Sequence, residues 1–122
     1  MKVLIVDDSK PILMMVSQML EELGHESISA IDGSDAYHVI AVNKGINLIL
    51  LDWNMPVMNG LEFLQKNKSD SIFNIPIFMM TTETSPEKIQ IALENGVVDY
   101  IMKPFTPDIL QNKIEMLLEL AG

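Results

Sequence analysis

A short aliphatic run that ends at an aspartate is the feature that most constrains the fold of this chain. Ile46 to Leu51 is almost unbroken aliphatic, with Asn47 as its only polar residue, and Asp52 follows directly. A run of this length without polar alternation is typical of a strand buried on both faces of a parallel sheet. We therefore expect Asp52 at the carboxyl end of a central strand, where open α/β sheets bind ligands. Taken alone, an aspartate at this position more often caps the strand or the next turn, and the rest of the chain decides against that interpretation.

Strand and helix signals alternate five times along the chain. The strands are predicted at Lys2–Val6, Ser27–Ile31, Ile46–Leu51, Ile75–Met80 and Val97–Met102. Helix starts are predicted after Ser9, Asp32, Asn59, Ser85 and Thr106. This alternation, with right-handed crossovers, predicts an α/β fold: a doubly wound (βα)5 parallel sheet of order 2-1-3-4-5 with helices on both faces. The 122 residues contain no linker or repeat, so we expect one domain spanning residues 1–122.

Apolar spacing predicts which helix residues face the core. The predicted buried positions are Ile12, Met15, Val16, Met19, Leu20 and Leu23 in the first helix; Ile89, Ala92 and Leu93 in the fourth; and Leu110, Ile114, Leu117, Leu118 and Ala121 in the fifth.

Composition excludes several classes of function. The formal net charge is −9, from 8 basic and 17 acidic residues, and there is no arginine. This balance disfavours nucleic-acid binding. No apolar run approaches the roughly 20 residues of a membrane span, and the apolar start is too short for a signal peptide. We therefore expect no membrane insertion and a cytoplasmic location. Without cysteine, disulfides and thiolate metal sites are excluded.

Four strand ends should converge on one edge of the predicted sheet. They carry Asp7 and Asp8, Asp52, Thr81, and Lys103. Three carboxylates together would repel one another unless a hard cation such as Mg²⁺ lies among them. A lysine and a hydroxyl suit the oxygens of a phosphoryl group. The pattern predicts a carboxylate nucleophile, Asp52, that attacks phosphorus while Mg²⁺ and Lys103 neutralise charge.

These motifs together resemble those of response-regulator receiver domains, most of all the stand-alone chemotaxis type. The matching segments are Val6-Asp7-Asp8-Ser9, Leu51-Asp52-Trp53-Asn54-Met55-Pro56, Met80-Thr81-Thr82-Glu83 and Asp99-Tyr100-Ile101-Met102-Lys103-Pro104-Phe105. The resemblance covers essentially the whole chain. It implies a flavodoxin-like fold and a role in two-component signal transduction.

The resemblance also implies a role for each matching residue. Asp52 corresponds to the phosphoacceptor, Asp8 to the direct Mg²⁺ ligand and Asp7 to its partner, with the backbone carbonyl of Asn54 completing the metal shell. Thr81 corresponds to the switch hydroxyl, Lys103 to the site lysine and Tyr100 to the switch aromatic. The phosphodonor would be a sensor histidine kinase. A downstream protein would bind the surface formed by the fourth helix, fifth strand and fifth helix. Such a protein catalyses only its own phosphorylation and dephosphorylation, and we expect a monomer.

Some positions leave alternatives open. Thr82 stands where the family usually has a smaller residue, which puts access to the phosphoryl site in question. Tyr100 could be an ordinary core tyrosine, and Asn54 and Glu83 could be plain loop residues or could tune autodephosphorylation. Ile91 could be a plain exposed residue or part of a partner surface.

Two other classes of function are weaker matches. A flavin mononucleotide binder would need a Ser/Thr/Gly-rich loop after the first strand, whereas this loop carries Asp7 and Asp8. A phosphatase of the haloacid-dehalogenase type would need an Asp-x-Asp motif there. The pathway stays open among a flagellar motor switch, a phosphorelay and a kinase or scaffold regulator.

Overall fold

A computed structural model describes residues 1–82 and 85–121 of the chain. The strands are β1 (Lys2–Val6), β2 (Glu26–Ala30), β3 (Leu48–Asp52), β4 (Ile77–Thr81) and β5 (Asp99–Met102). The helices are α1 (Lys10–Glu22), α2 (Gly33–Val42), α3 (Gly60–Asp70), α4 (Pro86–Glu94) and α5 (Pro107–Ala121). None of the helices in this described part of the chain is long and apolar enough to cross a bilayer.

All five strands are parallel, and their order is β2-β1-β3-β4-β5, which confirms the predicted topology. The direction of winding reverses between β1 and β3. Their register pairs Val6 with Leu51, so the residues that follow these two, Asp7 and Asp52, emerge side by side. The fold thus brings the acidic residues of two separate strands to the reversal point.

Two apolar cores cover the two faces of the sheet. One joins α1 and α5 to side chains such as Ile5, Leu50 and Met80, which are almost fully buried. The other joins α2, α3 and α4 to Leu4, Leu51 and their neighbours. Because β1, β3 and β4 are covered on both sides, these strands are apolar almost throughout, as their sequences predicted.

Helix starts agree with the cap signals in the sequence. The Ser9 and Asp32 side chains accept hydrogen bonds from backbone N–H groups of α1 and α2. At α3, Asn59 and Glu62 form a reciprocal capping box. Ser85 precedes Pro86 at the start of α4, as predicted. Because each helix follows a parallel strand, the five helices begin at the carboxyl edge of the sheet, where the strand ends converge.

The strand β1 has the predicted bounds, and the other four strands begin or end one or two residues from the predicted positions. β3 begins at Leu48 rather than Ile46, and it includes Asp52. Asn47 hydrogen-bonds to the backbone of Lys2 through both its amide N–H and its side chain, which ends the regular strand pairing there. The strand β5 is shorter than expected and begins at Asp99.

Several predicted core positions on the helices were wrong. Met15, Leu93 and Leu118 are 39%, 40% and 52% exposed, respectively. Conversely, Leu13 in α1 is buried although the predicted stripe omitted it. The helix faces that meet the sheet are narrower than the apolar stripes, because residues at the stripe margins lie at the rim of the core. The side chain of Ala121 lies outside the part of the molecule that the structure describes.

Candidate functional site

The carboxylates of Asp7, Asp8 and Asp52 converge at the carboxyl edge of the sheet. One oxygen from each residue can be chosen so that all three lie within 4.8 Å of one another. Asp7 is fully buried, Asp52 is 8% exposed and Asp8 is exposed. The predicted convergence of these three residues is therefore observed.

Lys103 bridges two of the three carboxylates. Its Nζ lies 2.7 Å from Oδ2 of Asp7 and 2.9 Å from Oδ1 of Asp52. The lysine follows the last residue of β5, and its backbone N–H donates to the carbonyl of Thr81 at 2.8 Å. Neighbouring strands β4 and β5 thus aim the ammonium group across the sheet edge at β1 and β3.

Burial dominates the electrostatics of the site. It raises the pKa of Asp52 above its ordinary value, and the charges of Asp7 and Asp8 add to this rise, while Lys103 opposes it through a hydrogen bond and its charge. Burial lowers the pKa of Lys103, but its contacts with Asp7 and Asp52 outweigh that effect and leave it raised. The raised pKa of Lys103 favours its charged form, whereas the raised pKa of Asp52 means that its surroundings disfavour the ionised carboxylate.

The donor set fits a hard divalent cation. Three carboxylates face one ammonium group, so the cluster carries excess negative charge when ionised. Mg²⁺ prefers oxygen ligands and uses one or two carboxylates together with water and phosphate oxygens. Asp8 is exposed, so it offers an oxygen that an ion can reach from solvent.

The remaining predicted site residues lie around this cluster. Thr81 is the last residue of β4 and is 2% exposed. Asn54 is exposed in the β3–α3 loop, two residues after Asp52. Tyr100 is partly buried against the α2–α3–α4 core, and its ring lies 5.6 Å from Nζ of Lys113. Glu83 lies outside the described residues.

Thr82 directly follows β4 and lines a cavity next to Lys103. It is exposed and helps to line a largely apolar cavity of about 230 Å³ together with Ile12, Met15, Val16, Lys103, Pro104 and Phe105. The cavity opens next to the ammonium-bearing residue, between α1 and the β5–α5 loop. The effect of Thr82 on phosphoryl access stays a prediction.

Two supports of the site were not predicted from the sequence. The backbone N–H of Ser9 donates to Oδ1 of Asp7 at 2.9 Å, so that the same residue caps α1 and holds the carboxylate. Gly60 packs so tightly that a Cβ there would lie 2.9 Å from the carbonyl oxygen of Asp52. In the sequence, the Asp7-Asp8-Ser9 and Asn59-Gly60 segments indicate only turns and helix caps. They do not indicate contacts with the carboxylate of Asp7 or the backbone of Asp52.

Comparison with known proteins identifies the family and the fold of the chain. The family model described as "Response regulator receiver domain" matches residues 3–115. The chain belongs to the response-regulator receiver family. The Asp7, Asp8, Asp52 and Lys103 cluster therefore lies in the receiver of a CheY-like response regulator of two-component signalling. Receivers bind Mg²⁺ at an acidic pocket, and this receiver has such a pocket.

Curated relatives of this receiver carry chemotaxis names. It is 42% identical to "Chemotaxis protein CheY1" of Helicobacter pylori over 120 residues, which cover 97% of both chains. It is 39% identical to "Chemotaxis protein CheY homolog" of Campylobacter jejuni, over 97% of this chain and 92% of that protein. A receiver of this type implies, in general terms, a histidine kinase as phosphodonor and a downstream target.

Solved receivers share the same fold. The Vibrio cholerae chemotaxis protein CheY4 matches with a TM-score of 0.86 at 40% identity, covering 94% of this chain and 96% of that one. The receiver domain of the Francisella response regulator 1452 matches with a TM-score of 0.88 at 31% identity, covering 99% and 98%. These similarities confirm the five-stranded receiver fold.

Proposed function

We propose that this receiver, a single domain over residues 1–122, accepts a phosphoryl group on Asp52 in a Mg²⁺-dependent reaction. The observation that carries the proposal is the position of Asp52, which lies 2.9 Å from the ammonium of Lys103 and is grouped with the carboxylates of Asp7 and Asp8. The groups around Asp52 suit the charge of a phosphoryl group, since they combine one ammonium with carboxylates that can hold a cation.

In the proposed reaction, a carboxylate oxygen of Asp52 attacks the phosphorus of a phosphohistidine on a sensor histidine kinase. The O–P bond forms while the N–P bond breaks, and the imidazole of the donor leaves. Asp7, Asp8 and Asp52 would hold Mg²⁺ together with the backbone carbonyl of Asn54, and the ion would neutralise charge at the phosphoryl oxygens. Lys103 would keep its hydrogen bond to Asp52, and its positive charge would offset the negative charge of the phosphoryl group from the β5 side.

The proposed switch starts at Thr81, whose hydroxyl would bond to the new phosphoryl group. Tyr100 would then move into the space that Thr81 vacates. Tyr100 lies beside Lys113 of α5, so its movement would alter the α4–β5–α5 surface that binds the downstream protein. The partly exposed Ile91 of α4 belongs to the same region of the molecule.

The proposed protein catalyses only its own phosphorylation and hydrolysis, acts in the cytoplasm as a monomer and binds neither nucleic acid nor membrane. The chemotaxis names of its relatives favour a chemotaxis pathway. A phosphorelay intermediate or a regulator of a kinase or scaffold is the alternative, and the site chemistry is the same for all of them.

Intact-mass measurement after incubation with acetyl phosphate and Mg²⁺ tests the assignment. We expect the wild type to gain one phosphoryl group and the Asp52→Asn variant to gain none. Asp35→Asn, at the start of α2, is the matched control and should label as the wild type does. Equal labelling of Asp52→Asn would refute the assignment. A yellow purified protein would favour flavin binding, and turnover of a generic phosphate ester would favour a phosphatase.

A further inference from the structure

Tyr100 lies on the edge strand of the sheet, on the face opposite to α5. Its strand, β5, is the last in the order β2-β1-β3-β4-β5. Neighbouring residues of a strand point to opposite faces, and Ile101 accordingly packs in the core beneath α1 and α5, whereas Tyr100 packs against the core on the other side. A contact between α5 and the Tyr100 ring therefore has to pass around the edge of the sheet.

Lys113 of α5 makes this contact around the edge. Its Nζ lies 2.8 Å from Oδ2 of Asp99 and 5.6 Å from the centre of the Tyr100 ring. The other carboxylate oxygen of Asp99, Oδ1, accepts a hydrogen bond from the backbone N–H of Tyr100 at 2.8 Å. Asp99 thus holds both the ammonium group and the backbone that carries the ring, which keeps the ammonium close to the ring.

The contact between ammonium and ring is attractive. A lysine ammonium over an aromatic ring, within about 6 Å of its centre, interacts favourably with the π electrons. The side chains of Lys113 and Asp99 are 28% and 30% exposed, so water weakens the attraction without removing it. At a partly exposed site, such a contact changes an equilibrium constant roughly two- to fivefold.

This attraction favours the ring position seen here over one nearer to Thr81. In the register of the sheet, Tyr100 pairs with Met79 of β4, and Thr81 points to the same face as Met79. Because β4 lies on the inner side of β5, movement of the ring towards Thr81 carries it away from the edge and from Nζ of Lys113. The contact is lost in the position that the proposed switch requires.

We propose that Lys113 is a positioning residue, which holds the Tyr100 ring at the edge of the sheet and so opposes the switch until a phosphoryl group is present. This deepens the proposed function and rests on it only for the event that moves the ring. Because the contact exists in one ring position and not in the other, it biases the equilibrium between them. Removal of the positive charge should raise the population of the inward position roughly two- to fivefold.

Nuclear magnetic resonance of the whole protein, with isotope-labelled tyrosine, tests this role directly. The chain has two tyrosines, so the signals of Tyr100 can be separated from those of Tyr37. Three-bond couplings report the χ1 angle of Tyr100. Without any phosphodonor, Lys113→Met should raise the population of a second χ1 rotamer roughly two- to fivefold. Lys113→Arg keeps a cation near the ring and should match the wild type.

Lys66 and Tyr37 provide a matched control. Nζ of Lys66 lies 5.6 Å from the centre of the Tyr37 ring, the same distance as in the contact between Lys113 and Tyr100. Lys66→Met removes the same unit of charge from the molecule but should leave the Tyr100 rotamers unchanged.

The Asp99→Asn variant tests the ion pair itself. Asparagine can keep an oxygen for the N–H of Tyr100, but it no longer offers Lys113 a charged partner. The variant should act in the same direction as Lys113→Met. Since the two residues form one unit, the double variant should add little to either single change.

Binding of beryllofluoride, a mimic of the phosphoryl group, gives a second measurement that a purely structural role would not move. In the presence of Mg²⁺, Lys113→Met should lower the beryllofluoride concentration at half-saturation roughly two- to fivefold, because a larger share of the protein already has the ring inward. Lys113→Arg and Lys66→Met should leave this concentration unchanged. A loss of folding stability alone would shift the unfolding midpoint instead.

Equal rotamer populations in the wild type and Lys113→Met, or the same change in Lys113→Arg as in Lys113→Met, would overturn the proposal. Labelling of Asp52 by acetyl phosphate separates this outcome from a failure of the proposed function. If Asp52 is labelled while Lys113→Met leaves the ring unchanged, the positioning role alone is wrong. If Lys113→Met moves the ring while Asp52 cannot be labelled, the phosphoacceptor assignment alone is wrong.

Discussion

Val57, in the loop after the phosphoacceptor strand, has a backbone conformation that β-branched residues rarely adopt. Its φ angle is +64°, and the N–H of Met58 donates to the carbonyl of Pro56 at 2.6 Å across it. A three-residue turn of this hand is rare and strained. The Val57 side chain is 81% exposed, so packing does little to offset the strain. The loop that carries Asn54 therefore stores energy close to Asp52.

Replacing Val57 by asparagine should stabilise the protein. Asparagine tolerates positive φ because its short polar side chain can bond locally, so we expect the free energy of unfolding to rise by about 1 kcal/mol. Urea denaturation measures the change. Val57→Ile keeps the β-branch and should show no gain. A loss of stability in Val57→Asn would mean that the turn is not strained.

Single residues also show the limit of sequence-based prediction. Asp52 and Lys103 were predicted to converge because each ends a parallel strand, and the observed contact confirms this. The strain at Val57 was not predicted, because Pro56-Val57-Met58 contains none of the glycine or asparagine residues that mark positive φ. Only the surrounding structure shows which residue takes the unfavourable conformation.

Two helices begin at glycines with different surroundings. A Cβ on Gly60, at the start of α3, would lie 2.9 Å from the carbonyl oxygen of Asp52 and 3.0 Å from Cα of Trp53. A Cβ on Gly33, at the start of α2, would lie 2.7 Å from Cγ of Met58. The first contact is with backbone, which cannot move without displacing β3. The second is with a flexible side chain that has other rotamers.

Alanine substitution should therefore separate the two helix starts. We expect Gly60→Ala to lower the free energy of unfolding by about 1–3 kcal/mol, since the new methyl group pushes on the backbone at Asp52. Gly33→Ala should cost less than about 1 kcal/mol, because Met58 can move and alanine favours the helix. Denaturant unfolding of both variants provides the comparison. Equal costs would contradict the distinction between backbone and side-chain contact.

The presence of each strand and helix was predicted more reliably than the residues at which it begins and ends. All ten strands and helices exist where the alternating pattern placed them. The start of β3 moved because Asn47 hydrogen-bonds to Lys2 on the neighbouring strand, a tertiary contact that the local pattern does not contain. The exposed Leu93 and Leu118 show the same limit, because helical spacing defines a stripe but not how much of it the sheet covers.

Across the whole molecule, the phosphoacceptor reduces the stability of the metal-free fold. The pKa of Asp52 is raised above its ordinary value of 3.8, chiefly by burial. A raised carboxyl pKa favours the protonated form in the folded state. Its stabilising contribution is complete below the ordinary value and is lost as the pH rises through the folded pKa. Ionised Asp52 is thus a destabilising group at neutral pH.

The Asp52→Asn variant should melt at a higher temperature than the wild type at pH 7 without Mg²⁺. The difference should shrink as the pH falls towards 4, because the wild-type carboxyl becomes neutral as well. Added Mg²⁺ should raise the melting temperature of the wild type more than that of the variant, since binding to the folded state stabilises it. Thermal melts across pH test this. A lower melting temperature of Asp52→Asn at pH 7 would contradict it.

The global topology was predicted because few arrangements are open to five alternating strand–helix units with right-handed crossovers. That topology also located the site at the reversal between β1 and β3. The balance of charges was not predictable in the same way. It depends on distances such as 2.7 Å and 2.9 Å from one lysine to two carboxylates, which follow from side-chain packing.

Within the residues that the structure describes, the bridge made by Lys103 uses two of the three hydrogens of its ammonium group, and Asp7 and Asp52 accept them. A third acceptor can therefore bind without either existing bond being broken. Lys103 can donate to an incoming anion while it keeps its hydrogen bonds to Asp7 and Asp52. A guanidinium in its place would carry a flat fork suited to paired oxygens, not three acceptors grouped around one nitrogen.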